Sequence, residues 1–216
     1  MRRIQKKSEN EPKSLKSFRK NNPTASYKDL EGDEGQEIRH EIREACTKEQ
    51  FYLCAYCCKR IDGIQNDTVN EHVEAQKLAP KRTLDFTNLV ASCTTQGQCD
   101  KAHGSQALPL TPLMPECEKE LKFYFSGTVK GLTPRAETSI KVLGLNNTIL
   151  TERRKIECES LIYQNYGCPA GDWYDEDPAV IEILIQDLEK ITDGKLEPYA
   201  PVLVRILKEY LKNSQV

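Results

Sequence analysis

Apolar positions along this chain follow clear rhythms at both flanks of a central stretch that has none. Between residues 35 and 53, Ile38, Ile42, Ala45 and Cys46 recur at spacings of four and three, which predicts an amphipathic helix with His40 on its solvent face. Further on, Leu121, Phe123 and Phe125 alternate with polar neighbours ahead of Ser126-Gly127, as a strand does on entering a turn. The remaining period is helical. Thr133-Pro134 opens a helix carrying Ala136, Ile140 and Leu143, with Gly144 as its stop. Asn147 or Thr148 can cap the next, which extends to about residue 166 with Leu150, Ile156, Leu161 and Ile162 apolar. Asp177-Pro178 opens a third, where Val180, Ile181, Leu184, Ile185, Leu188 and Ile191 make a broad stripe before Gly194. A last helix from about Pro201 carries Leu203, Leu207, Tyr210 and Leu211. All these stripes are expected to be core.

The N-terminal 34 residues show no sustained stripe. Ile4, Leu15, Phe18, Tyr27 and Leu30 are scattered among Lys, Ser, Asn and Pro, so residues 1–34 read as an arm ordered only against a partner. In the central stretch, Thr68 to Val73 and Leu89 to Ser92 have strand character, joined by a loop with Pro80, Lys81 and Arg82. The expected architecture is mostly helical α+β. It comprises a basic arm (1–34), a helix with a cysteine-bracketed module (35–110), and a short strand pair with a helical C-terminal region (111–216).

Composition narrows the classes. Apolar residues make up 38% and charged residues 30% of the 216, enough for a core. The N-terminus lacks the apolar region of a signal peptide, no apolar run is long enough for a membrane span, and no glycine-rich phosphate loop is present. Nine cysteines with one tight pair fit a reduced compartment better than a disulfide framework, so a cytoplasmic location is expected. Cys117 reads as a buried small residue. The net charge of −2 conceals a gradient: residues 1–28 hold nine Lys/Arg against Glu9 and Glu11, and residues 169–216 hold ten Asp/Glu against five Lys/Arg. A basic arm of this kind suits nucleic acid or an acidic partner surface.

Candidate chemistry sits in the stretch without rhythm. Cys54-x-x-Cys57 has zinc-knuckle spacing, and Cys93 and Cys99 can complete a structural Cys₄ site, with Cys58 competing for the place of Cys57. A redox pair or a set of buried free thiols are the other readings of these residues. Within the brackets, Glu71-His72 places a carboxylate beside a base, on opposite sides of an extended strand. Asn88 can hydrogen-bond backbone on both sides and pin the intervening loop. Asp100 and His103 share a face of a short helix and could grip one divalent ion.

The order Cys-x-x-Cys, acidic-His, Asn-Leu, Cys, Cys-Asp-x-x-His-Gly resembles the zinc-stabilised HNH endonucleases, which have a ββα-metal fold. More narrowly, the basic arm, the Glu71-His72-x-x-x-Gln76 segment, and Leu143-Gly144-Leu145-Asn146 followed by Leu150 and Arg153-Arg154 resemble the PtuB-type HNH subunit of Septu and retron anti-phage systems. The resemblance implies a nuclease effector, a toxin that hydrolyses phosphodiester bonds of DNA or RNA. His72 would be the general base, Asn88 the structural Asn, and Glu71, Asp100 and His103 the candidates to hold a catalytic Mg²⁺-like ion. Asp100 stands where the family often has Asn or His, and His103 where Lys is common, so the sequence leaves open which of the two binds the ion. The implied partners are a PtuA-like ATPase and, in retron systems, a reverse transcriptase with its multicopy single-stranded DNA. The competing class is a catalytically inactive, zinc-bearing adaptor that binds nucleic acid or protein.

Overall fold

The computed structural model describes residues 1–167 and 177–214. Its helices are α1 (Lys13–Asn21), α2 (Gly32–Glu49), α3 (Asp100–His103), α4 (Pro134–Val142), α5 (Thr148–Tyr166), α6 (Pro178–Leu188) and α7 (Ala200–Ser214). Two antiparallel strand pairs complete the fold: β1 (Thr68–His72) with β2 (Leu89–Cys93), and β3 (Leu121–Phe123) with β4 (Val129–Gly131). This is the mostly helical α+β architecture that the periodicities predict. No helix among the described residues is long and apolar enough to cross a membrane.

Strands β1 and β2 with α3 form the ββα unit, and α2 packs against it. In the sheet Thr68 pairs with Cys93, Asn70 with Ala91 and His72 with Leu89, and α2 lies against both strands through Ile38, Ile42 and Cys46. The helix starts three residues before the predicted Gly35 and stops before Leu53. Phe51 and Tyr52 take positive φ, and Leu53 bridges to Arg60, so the chain must leave the helix to enter the cysteine turn. Caps fall where the side-chain chemistry puts them. Thr133 accepts from Ala136 N–H, Asn147 from Leu150 N–H and Asp177 from Ala179 N–H.

The arm expectation is corrected. Residues 13–21 are helical, and Met1, Ile4, Leu15 and Leu30 are buried in the same core as α2 and the cysteines. Lys6, counted above among the basic arm residues, makes a buried ion pair with Glu49 at 2.6 Å and lies 3.5 Å from the centre of the Phe86 ring. Sparse apolar residues suffice because the rest of the chain supplies the surface that they cover. The expected core stripes also need two corrections: Ile156 on α5 and Ile191 beyond α6 are 60% and 47% exposed. Cys117 is buried, as expected, and Cys168 lies outside the described residues.

Candidate metal centre and nuclease site

Cys54, Cys57, Cys93 and Cys99 are all buried, and their sulfurs lie within 4.8 Å of one another. Cys54 and Cys57 sit in a turn closed by Cys58 N–H to Cys54 C=O at 3.1 Å, with Cys58 at φ 65°. That turn aims Cys57 into the cluster and keeps Cys58 out, which resolves the competition left open by the sequence. Cys93 ends β2, and Cys99 precedes α3. The Cys57 and Cys93 sulfurs are 3.9 Å apart, close to the roughly 3.8 Å edge of a tetrahedron with 2.3 Å zinc–sulfur bonds.

Donors converge on the sulfurs. Cys93 N–H points to Cys54 Sγ at 3.3 Å, and the Gln98 amide reaches Cys57, Cys93 and Cys99 at 3.7, 3.7 and 3.9 Å. Hydrogen bonding with Cys54 and then Cys93 pushes the Cys57 thiol up, burial pushes Cys99 up, and hydrogen bonding from Cys54, Cys57 and Cys99 pulls Cys93 down. Four buried sulfurs this close would repel one another as thiolates, and a dication would offset that repulsion. The donor set fits a structural zinc, which would staple the turn, β2 and α3 together.

The second constellation forms where β1 meets α3. His103, fully buried, directs Nδ1 to Glu71 Oε1 at 2.5 Å, and its Nε2 donates to Gln106 C=O at 2.9 Å. Tyr56, inside the cysteine turn, donates its hydroxyl to the same Glu71 oxygen at 3.1 Å. Burial raises Glu71 to about 7, with the hydrogen bond from His103 opposing and the nearby Asp100 carboxyl adding to the shift. For His103, burial works downward, but the hydrogen bond and charge of Glu71 outweigh it and the net shift is upward. The structure therefore brings Glu71 and His103 into contact, with Asp100 close enough to act electrostatically on both. Among the described residues this trio is not gathered as tightly as the four sulfurs. Both ring nitrogens of His103 are engaged, Nδ1 by Glu71 and Nε2 by Gln106 C=O, so a divalent cation bound by His103 Nδ1 would have to take the place of its Glu71 contact.

His72 faces away from Glu71, as strand alternation requires. Its Nε2 lies 2.8 Å from Thr83 C=O, its Nδ1 lies 3.5 Å from the Gln76 amide, and the Tyr27 ring meets it edge-on at 4.8 Å. Burial lowers its pKa, partly offset by the Thr83 carbonyl and by Asp100. Asn88, buried to 1% exposure, accepts from Glu74 N–H at 2.8 Å and donates to Glu74 C=O and Arg82 C=O at 3.0 and 3.3 Å. It thus ties both ends of the 73–84 loop that carries Thr83. Sequence reasoning missed Tyr56, Gln98 and Tyr27 as supports. Tyr56 and Gln98 lie inside or beside the cysteine brackets, but Tyr27 is 45 residues from His72 and carried no signal.

No protein-family model matches the chain. It is similar to a protein of Vibrio cholerae serotype O1 biovar El Tor that is provisionally named the HNH endonuclease of retron Vc95, with 24% identity over 168 residues, covering 71% of this chain and 82% of that one.

Proposed function

We propose that this protein is a metal-dependent HNH endonuclease that acts as the effector of a retron-type or Septu-type defence system. The observation that carries the reading is the meeting of Glu71 and His103, with Asp100 beside them, at the end of the strand whose opposite face carries His72; the Asp100 charge also reaches His72. A divalent ion held by these residues would neutralise charge on a scissile phosphate. Donation from Nε2–H to Thr83 C=O fixes the His72 tautomer with a lone pair on Nδ1, the atom that takes the proton from an attacking water. Its lowered pKa keeps the ring neutral, as a base requires. Asn88 holds the loop that positions Thr83. Exposed Lys28, Lys77 and Lys81 neighbour Tyr27, Gln76 and Thr83, the residues that touch His72, and offer contacts for a phosphate backbone.

Similarity to the Vibrio cholerae protein named for retron Vc95 supports a retron context. By family resemblance, an ATPase subunit and a reverse transcriptase with its single-stranded DNA would hold the effector in check in the cytoplasm. Burial of Glu71, His72 and His103, at 6%, 5% and 0% exposure, favours the adaptor as the second reading, because a nuclease must open this site to its substrate.

The test is cleavage of labelled DNA and of total RNA by the whole chain, beside His72→Ala, with Mg²⁺ or with chelator followed by Mg²⁺. Activity that disappears in the variant and returns with Mg²⁺ establishes the nuclease and names its substrate. Silence in every lane, repeated with the associated ATPase present, leaves the adaptor.

A further inference from the structure

We propose that Arg154 is the buried counter-charge of the four-cysteine zinc site, and that the 143–147 turn it holds sets how tightly the metal is bound. The proposal rests on the zinc reading of the cluster. Arg154 is 1% exposed and heads the fully buried side chains by size. No carboxylate forms a salt bridge with it among the described residues. Its Nη1 donates to Gly127 C=O and its Nη2 to Leu145 C=O at 3.1 Å, while among the described residues Nε finds no hydrogen-bond partner, and neither does the buried hydroxyl of Tyr199. The Phe123 ring lies 5.4 Å from the guanidinium but carries no charge, and a buried charge without a counter-charge is costly.

The turn that Arg154 holds is also bonded to the cysteine loop: Arg154 donates to Leu145 C=O, and Cys99 N–H donates to Leu143 C=O two residues earlier. Four thiolates with one Zn²⁺ carry a net −2, and Cys57 heads the groups whose charge opposes the effect of burial on Arg154. Arg154 also grips the cluster through the backbone. Leu145, its acceptor, belongs to a turn in which Leu143 C=O accepts from Cys99 N–H at 2.9 Å. A Cβ on Gly144 would lie 2.4 Å from Gly97 C=O, so the turn and the cysteine loop touch backbone to backbone. Asn147 Nδ2 reaches Gly97 C=O and Gln98 Oε1 at 3.3 and 3.4 Å, steering the amide that faces three sulfurs. Leu143-Gly144-Leu145-Asn146 and Arg154 thereby gain a purpose that their helical surroundings do not provide.

Two variants test the proposal in the full chain: Arg154→Gln, which keeps a donor without the charge, and Asn147→Asp, which keeps the α5 cap but loses the donor to Gly97 and Gln98. Zinc content is measured by elemental analysis, and zinc release is followed with a chromophoric chelator. Arg154→Gln is expected to release zinc roughly 10–100-fold faster than wild type, Arg154→Lys to restore much of the difference, and Asn147→Asp to release it faster than wild type. Thermal unfolding separates charge from packing, because the Arg154→Gln deficit should be larger with zinc than without. Wild-type release from Arg154→Gln, or an equal deficit with and without zinc, overturns the proposal. Should Arg154→Gln fail to fold, wild-type release from Asn147→Asp overturns it. A wild-type chain without zinc instead overturns the zinc reading itself.

Discussion

Asn88 shows how a single side chain can hold a whole loop in place. It makes three hydrogen bonds to the backbone of the 73–84 loop from a position 1% exposed. Asn88→Ala strands those loop groups and should cost about 1–3 kcal/mol in urea denaturation, with cleavage falling as Thr83 loses its position against His72. Lys6 is a comparable case. Its ammonium and the Glu49 carboxylate are 7% and 4% exposed, so Lys6→Met leaves Glu49 buried without a counter-charge. A loss of about 3 kcal/mol is expected, measured in the same way; a neutral result would mean that Glu49 swings to solvent.

Among the elements, the β3–β4 hairpin and α4 meet at a point with no room for a side chain. A Cβ on Gly131 would lie 2.4 Å from Glu137 N and 2.8 Å from Ala136 C, both backbone atoms that cannot rotate away. Gly131→Ala should therefore lower the thermal midpoint by several degrees, in line with a cost of about 1–3 kcal/mol for overpacking. Helix α5 is apolar on two faces. Leu150, Cys158, Leu161 and Ile162 are buried, while Ile149, Ile156 and Tyr163 are 73%, 60% and 61% exposed. This doubling is why Ile156, expected in the core with Leu150, Leu161 and Ile162, lies outside it.

Across the whole molecule, the N-terminal segment and the cysteine cluster hold the ββα unit from opposite ends. Removing residues 1–28 would strip Met1, Ile4 and Leu15 from the core, break the Lys6–Glu49 pair and uncover His72 from Tyr27. The truncated chain should unfold at markedly lower temperature, with amide exchange fastest in α2 and the 73–84 loop. Zinc chelation should instead loosen the cysteine turn and α3 first, visible as early loss of amide protection at residues 99–103. Loss of protection spread evenly over the chain would count against a stapled module.

The sequence by itself determined α2 and α4 to α7 but not α1, because amphipathic period and capping residues act within a few positions of one another and α1 has no sustained stripe. Asn147, Asp177 and Thr133 cap as their side-chain oxygens dictate, and His72 and Glu71 diverge because strand geometry is local. Cysteine spacing named the four sulfurs that cluster, although it could not separate Cys57 from Cys58; the left-handed turn at Cys58 did that. Tertiary structure alone decided what covers what. Whether Lys6 is solvated or buried depends on Glu49, Tyr27 meets His72 only once the chain has folded back, and Arg154 is buried because its carbonyl acceptors, Gly127 and Leu145, come from two separate turns. Such contacts join residues tens of positions apart, and burial removes charge from water in ways that no local pattern records.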